Sequence, residues 1–485
     1  MTAESAPGEL APVKFSRLSR RGVILGLTGG QLTTLGIGAL TLVTALYAAG
    51  GTGLILVAPV LALSVALTWG SIGGRRLVAW LPISSVWLWR TVTGQRTYKR
   101  RISRPRPAGT LALPGNAASL RQWLDEETGA VMIHDPHAAT LTAIIGVTHP
   151  AYTLLDPAEQ QRRVTGWGRV LATTCRSGRI ASLQVLERTL PDSGRGLSEW
   201  WTQHGTHDQS WASTTYDELI RRAGPAGERH ATTISIGLDI KTSARAIRAA
   251  GGGNRGAAAV LRQEMTTLTA ALRAADLTPG EWLTPGDLAL ILRTAYEPGL
   301  APALERHGAL GRDLSTAGPV AISESWGSLR SDSAHHAVLW ISEWPRSQVY
   351  PGFLAPLLLT SGVRRSLSLH YQPLRTDLAA RDLRRKRTEY ISDAAQRTKI
   401  GQIDDAQQNA EYADVLQQEA DLTAGHGVLR LTGLIALSAF DLDELERTVA
   451  AVEQAAIQAS CETRRLYGQQ AQAFAASALP QCRQR

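Results

Sequence analysis

The chain has 485 residues, which leaves room for two or three domains of ordinary size, and its formal net charge is +9. Residues 1–110 carry 13 Lys and Arg against two acids, so the remainder carries 38 bases against 40 acids. This distribution weighs against direct nucleic-acid binding by the soluble part. Three cysteines without Cys-x-x-Cys spacing fit a reducing cytosol and indicate neither a disulfide framework nor a zinc site.

The N-terminal region contains a long stretch without charge. From Gly22 to Gly74 the chain has no Asp, Glu, Lys, Arg or His. One bilayer crossing needs about 20 residues, so the stretch predicts two transmembrane helices, at 23–48 and 54–72. The glycine-rich residues 49–53 predict the turn between them. A cleaved signal peptide is the alternative, but its apolar region spans only about 7–15 residues.

Basic residues flank this stretch on both sides and predict its orientation. Lys and Arg stay on the cytoplasmic side, so we expect both termini in the cytosol of a bacterium and the hairpin in its cytoplasmic membrane. Residues 77–94 mix tryptophan with arginine, which predicts an interfacial helix; a third crossing is the alternative. Six residues are predicted at the membrane interface: Arg75, Arg76, Trp80, Trp87, Trp89 and Arg90.

The predicted organisation has five parts. These are a cytosolic N-terminus (1–21), the two-span hairpin (22–74), the interfacial segment with a proline-rich linker (75–114), and two cytosolic α/β domains (115–330 and 331–485). Strands are expected at 139–148, 179–187, 232–241, 337–343, 366–372 and 428–439. Helices are expected at 156–174, 214–223, 257–275, 352–360 and 442–466, with a charged helical insert at 377–424. Asp441 and Glu444 occupy capping-box positions at the start of the last helix. Both halves follow the order β-α-β-insert-β-α, which predicts a membrane-anchored α/β protein with two ferredoxin-like repeats.

Sequence motifs of enzymes are not evident. A P-loop needs a lysine after glycine, and none of the five lysines follows one: Lys14, Lys99, Lys241, Lys386 and Lys399. The run 251–256 is glycine-rich but lacks a Gly-x-Gly-x-x-Gly register, so a flexible helix entry is favoured over an anion cradle. The basic run 384–387 is flanked by acids and predicts a solvated helix face. We therefore expect neither an enzyme nor a cofactor or metal site.

Two runs near the N-terminus carry a family resemblance: Gly26-Leu27-Thr28 with Gln31-Leu32, and Gly74-Arg75-Arg76 with Trp80-Leu81-Pro82, Trp87 and Gly94. They resemble the opening and the juxtamembrane run of actinobacterial PrgI-like proteins, which are small two-span membrane components of Gram-positive conjugation machinery.

A third run lies at the C-terminus: Leu466-Tyr467-Gly468-Gln469-Gln470, Phe474 and Leu479-Pro480. It resembles the segment that closes the N-terminal domain of the conjugation ATPases of type IV secretion. The ending departs from that family at Gln481-Cys482, and the sequence stops three residues later. The resemblance implies a motor domain on a separate polypeptide.

Together these observations predict a non-enzymatic scaffold of a conjugative, type IV-like secretion system. Its expected partners are the lipid bilayer, a conjugation-type ATPase and other channel proteins. Four residues are predicted to dock the ATPase: Tyr467, Gln469, Gln470 and Phe474. For Tyr467 and Phe474, the alternative is that they complete the domain's own core. Two other functions stay open, namely a type VII secretion component and a membrane-anchored enzyme with a dispersed site.

Overall fold

The structure is a computed structural model that describes residues 12–15, 27–101, 103, 107, 109–149, 152–223, 227–308, 311–400 and 406–483, without the side chains of 393, 395–400 and 406–408. The basic flank at 17–21 and residues 23–26 of the first predicted span lie outside this set. The described chain divides into an N-terminal unit within 17–96 and a main unit formed by the described residues of 1–16 and 97–485.

The N-terminal unit contains one long apolar helix with a short structured segment after it. Its elements are α1 (Gly29–Trp69), β1 (Ser71–Ile72), β2 (Arg75–Arg76), a 3₁₀ turn (Leu77–Trp80) and α2 (Leu81–Val92). The best window of α1 has a mean hydropathy of 2.1, so the helix is long and apolar enough to cross a membrane. Gly50, within the predicted turn 49–53, has non-helical dihedral angles inside α1.

The two ends of α1 lie together. Gln31 Nε2 donates to the Thr68 carbonyl at 2.7 Å, and the hydroxyls of Thr34 and Thr68 are 3.0 Å apart. A straight helix would hold residues 31 and 68 about 55 Å apart, so α1 reverses direction at Gly50. The reversal brings Gly38 against Ser64, where an added Cβ would lie 2.6 Å from the serine hydroxyl.

The main unit is mixed α/β. Its first part comprises β3 (Thr97–Lys99), β4 (Arg121–Leu124), β5 (Val131–Asp135), β6 (Thr140–Thr148), α3 (Pro157–Ser177), β7 (Ile180–Pro191), α4 (Arg195–His204), α5 (Trp211–Ala223), β8 (Glu228–Asp239), α6 (Ala244–Ala249), α7 (Gly253–Ala274), β9 (Thr278–Trp282), α8 (Pro285–Tyr296) and α9 (Ala301–Arg306). Its second part comprises β10 (Ala321–Glu324), β11 (Leu329–Ser331), β12 (Ala334–Glu343), α10 (Ala355–Leu358), β13 (Arg364–Pro373), α11 (Thr376–Ile400), α12 (Ala406–Thr423), β14 (Leu429–Ala439), α13 (Leu442–Gln458), β15 (Glu462–Arg465) and α14 (Gln470–Ala478).

The described strands of the main unit form one large antiparallel sheet. Its order is β3-β10-β11-β12-β14-β13-β7-β8-β6-β5-β4, and β15 also pairs with β12 while β9 pairs with β6. Two stretches of this sheet have the same pattern of elements and pairings: β9-β6-β8-β7 and β15-β12-β14-β13. They join through the pairing of β7 with β13, where Leu367 lies opposite Glu187.

Helices cover both faces of the sheet. Along β12, Val338 belongs to the apolar cluster of α8 and α14, whereas the next residue, Leu339, belongs to the cluster of α13. Successive strand residues point to opposite faces, so α13 and α14 lie on opposite sides of the second half. A third cluster lies between α7 and the strands β6, β7 and β8.

Most predicted elements are present, with shifted ends. The predicted cap of α13 is confirmed, because the Asp441 carboxylate accepts from the Glu444 amide at 2.7 Å. The predicted helix 442–466 is wrong at its C-terminal end. Helix α13 stops at Gln458, Ser460 has a φ of 56°, and residues after it form β15. The left-handed residue turns the chain back onto the edge of β12.

Part of the predicted linker 75–114 belongs to the main unit. Strand β3 pairs with β10, and Leu111 and Leu113 are fully buried in the cluster of α8 and α14. Part of this segment is therefore packed in the main unit and is not a tether. Residues on both sides of the predicted domain boundary at 330/331 contribute strands to one sheet. The division into two domains at that point stays a prediction.

Candidate membrane interface and docking site

The six predicted interface residues all lie in the segment after α1. The two arginines of β2 follow the turn at Gly73 and Gly74, which both have positive φ, and Trp80 ends the 3₁₀ turn. The Arg75 guanidinium lies 5.8 Å from the Trp80 ring centroid. Trp87, Trp89 and Arg90 lie on α2.

Helix α2 presents apolar side chains to its surroundings. Leu88, Trp89 and Val92 are exposed, and the guanidinium of Arg96 stacks over the Trp87 ring at 4.7 Å. Exposed apolar residues next to stacked arginines are the composition that favours the headgroup region of a membrane. The geometry thus brings Trp80 and Trp87 each beside a cation.

Two of the predicted docking residues are in the core. Phe474 is 1% exposed, and its ring lies 5.1 Å from that of Tyr296 and 4.5 Å from that of His336. The Gln470 side chain is fully buried; its Oε1 accepts from the Val338 amide at 2.8 Å, and its Nε2 donates to the Leu466 carbonyl. The docking role predicted for these two residues is therefore corrected: they attach α14 to β12.

Tyr467 has a different environment. It is 36% exposed and stacks on Trp326, which is 37% exposed, with ring centroids 6.4 Å apart. The backbone holds the pair in place, because the Gly468 amide donates to the Trp326 carbonyl at 2.7 Å. We call Trp326 and Tyr467 the aromatic pair. Gln469 is half-buried and precedes α14. A docking role for Tyr467 and Gln469 stays a prediction.

Two buried histidines of the sheet contact the C-terminal helix α14, His336 through the Phe474 ring and His370 through a backbone carbonyl. His336 Nδ1 lies 2.8 Å from the Ser438 hydroxyl, and His370 Nε2 lies 2.9 Å from the Ala476 carbonyl. Burial lowers the pKa of His336 to about 3 and that of His370 to about 4, so both are neutral at physiological pH. Sequence reasoning missed them; the available signal was the alternation of β12 and β13, which places both side chains on a covered face.

The two charged or glycine-rich runs have structural explanations. In 384–387, Arg385 pairs with Glu389 at 2.9 Å and Arg387 pairs with Glu419 of α12 at 3.1 Å. In 251–256, Gly251, Gly252 and Gly253 all have positive φ before or at the start of α7, a backbone that residues with a side chain rarely adopt.

A partly enclosed cavity of about 300 Å³ lies beside β7 and β8, under α8 and α9. It includes Arg188, an arginine in the inward register of β7 between the buried Leu186 and Leu190. Sequence reasoning missed this site, although a charged residue between two apolar residues of a strand was its signal.

No protein-family model matches the sequence, and no curated protein matches it.

Proposed function

We propose that this protein is a membrane-anchored scaffold of a conjugative, type IV-like secretion system that holds a separately encoded ATPase at the cytoplasmic membrane. Its action is positional: the hairpin fixes the main unit at the membrane, and the main unit binds the motor. The resemblances to PrgI-like proteins and to the N-terminal domain of conjugation ATPases suggest this role. The packing of the N-terminal unit carries it.

In the N-terminal unit, polar side chains are inside and large apolar side chains are outside, the reverse of the arrangement in a water-soluble protein. The polar side chains of Gln31, Ser64 and Thr68 are buried between the two halves of α1, whereas its outer surface exposes large apolar side chains: Ile37, Leu40, Val43, Tyr47, Ile55 and Leu56. Small and hydroxyl residues between helices with apolar residues outside are typical of helix pairs in lipid. Each half is about 30 Å long, which matches the hydrocarbon core of a bilayer.

These features support two crossings that meet at Gly50, with both ends on the cytoplasmic side. The arginines and tryptophans of 75–96 would then lie among the lipid headgroups, where guanidinium groups contact phosphates and indole rings are half immersed. The N-terminal unit thus supplies the anchor.

The main unit supports the second part of the proposal. In each half, two β-α-β segments produce the strand order 4-1-3-2 with antiparallel neighbours, the arrangement of a ferredoxin-like fold. We propose two such repeats, joined edge to edge through β7 and β13, with α11 and α12 as the insert of the second. Such a sheet offers a rigid platform on which a partner can be held.

The aromatic pair is the docking surface that we assign to the ATPase. It lies directly before α14, in the run that resembles the entry to a motor domain, and exposed aromatic residues commonly anchor protein interfaces. The Arg465 guanidinium lies 5.7 Å from the Tyr467 ring centroid. It is fixed there by two hydrogen bonds to Glu446 at 2.8 Å and one to the Gly327 carbonyl at 2.6 Å.

Co-purification tests this assignment. The tagged chain is solubilised from membranes of the native host, and ATPases that carry a Walker motif are quantified by mass spectrometry. We expect Trp326→Ala combined with Tyr467→Ala to lose the ATPase but to remain in the membrane fraction. Tyr350→Ala, a second exposed aromatic of the main unit, is the matched control and should keep it. Retention of the ATPase by the double variant would contradict docking at the aromatic pair.

A further inference from the structure

The cavity beside β7 and β8 contains an arginine whose charge is not balanced. Arg188 is 3% exposed. Its Nη2 donates to the Thr294 hydroxyl at 2.8 Å, and its Nε is buried with no hydrogen-bond partner among the described residues. The threonine hydroxyl donates its own hydrogen to the Leu290 carbonyl at 2.7 Å, so it offers Arg188 a neutral acceptor and no negative charge.

The carboxylate that lines the cavity has other partners. Glu305 accepts from Arg229 at 3.1 Å and from the Ser193 hydroxyl at 2.8 Å. At the rim, Arg312 lies 3.4 Å from Asp287. Each of these arginines therefore has its own carboxylate, and Arg188 has none within hydrogen-bond distance in the described chain. Burial and the nearby Arg229 lower the pKa of Arg188 to about 10, which still leaves it charged at neutral pH.

A second buried arginine of the same sheet lies in a different electrostatic environment. Arg365 is also 3% exposed; it donates to the Thr360 carbonyl at 2.7 Å, and its Nε and Nη2 are buried with no hydrogen-bond partner among the described residues. The carboxylates of Glu228 and Glu187 oppose the effect of burial on its pKa, whereas the charge that acts on Arg188 is that of another arginine, Arg229. An unpaired buried charge costs several kcal/mol, whereas a compensated one is tolerated. The difference in nearby charge indicates that Arg188 is completed by a group from outside the chain.

The remaining walls define what that group carries. Leu190, Leu290, Ile291 and Leu304 line the cavity, so the bound molecule has an apolar body. The volume of about 300 Å³ is equal to roughly ten water molecules and lies at the small end of ligand pockets. One uncompensated positive charge matches a carboxylate, which carries a single negative charge, better than a phosphate monoester with about −1.5 to −2.

We propose that this cavity is a binding site for a small organic carboxylate, whose head group pairs with Arg188 and whose apolar body lies among the leucines of α8 and α9. Arginine binds carboxylates through two parallel hydrogen bonds, and the buried Nε is one donor of such a fork. The site is independent of the scaffold role, because it uses neither the N-terminal unit nor the aromatic pair.

Benzoate is a probe of the required size. The full chain in detergent is titrated with benzoate, with benzyl alcohol as the neutral analogue and phenyl phosphate as the more highly charged one, and thermal unfolding is followed together with calorimetric binding. We expect benzoate to raise Tm progressively with concentration, benzyl alcohol to have no effect, and phenyl phosphate to bind more weakly.

Variants identify the residue responsible. Arg188→Met should abolish the benzoate response and raise the Tm of the empty protein, because it removes a buried charge without a partner. Arg365→Met, the matched control, should lower Tm but keep the response. Ala231→Leu keeps Arg188 and fills the cavity, so it should abolish the response even if Arg188→Met does not fold.

Three results would overturn the proposal: a wild-type protein that does not respond to benzoate, an equal response in Ala231→Leu or Arg188→Met, or an equal effect of benzyl alcohol. Tighter binding of phenyl phosphate than of benzoate would overturn the assignment to a carboxylate.

Discussion

Replacing Phe474 by alanine separates a core role from a docking role for α14. The ring is enclosed by Tyr296, His336 and the apolar residues of α8. Phe→Ala substitutions in a core lower the free energy of unfolding by about 3–5 kcal/mol, and loss of the aromatic contacts contributes about 0.5–1.5 kcal/mol of that for each pair. We therefore expect a decrease of about 4 kcal/mol.

The matched control is Phe440→Ala. Phe440 is 54% exposed and lies under the Arg364 guanidinium at 4.1 Å, so its loss should decrease the free energy of unfolding by only about 0.5–1 kcal/mol. Both variants are unfolded in urea, and unfolding is followed by tryptophan fluorescence. The slope of the free energy of unfolding against urea concentration should equal that of the wild type, so that the free energies can be compared. If Phe474→Ala lowers the free energy of unfolding by less than about 1 kcal/mol, the reasoning is refuted, because loss of a fully buried ring lowers it by more than that.

Two further predictions concern the reversal of α1 and the buried histidines. Gly53→Ala would place a Cβ 2.3 Å from the Ala45 carbonyl oxygen, whereas Gly36→Ala meets open space. Gly53→Ala should therefore reduce the yield of folded protein in membranes, and Gly36→Ala, the control, should not. Equal yields of the two variants would contradict the reversal of α1. Because His336 and His370 are neutral when folded but bind protons below pH 6.5 when unfolded, each should lower the free energy of unfolding as the pH falls from 6.5 to 5, with a slope that approaches about 1.4 kcal/mol per pH unit. Urea midpoints at these pH values check this, and a flat profile would contradict it.

The sequence predicted those features that depend on local pattern. The uncharged stretch before Gly74 predicted two apolar helices, where the structure has the one long apolar helix α1, and the alternation of Ile234 and Ile236 on one face predicted the strand β8. The helix cap at Asp441 was predictable from the sequence, because an N-cap requires only one side chain and the backbone amide three residues later. Such signals do not depend on what lies across the fold.

Features that depend on distant contacts were not predictable. The apolar spacing of α13 continues past Gln458, yet Ser460 turns the chain because β12 offers an edge to pair with. The sequence left Phe474 open between a docking role and the domain's own core, because the residues that enclose it, Tyr296 and His336, are far away in the sequence. The unbalanced charge of Arg188 becomes visible only when the partners of Arg229 and Glu305 are known.

The claim that the N-terminal unit crosses the membrane twice and leaves both of its ends in the cytosol is tested most directly by topology reporters fused at residues 10 and 115 and at Gly50. The account predicts cytoplasmic reporter activity at residues 10 and 115 and external activity at Gly50. An external signal at residue 10 or 115, or a cytoplasmic signal at Gly50, would contradict it.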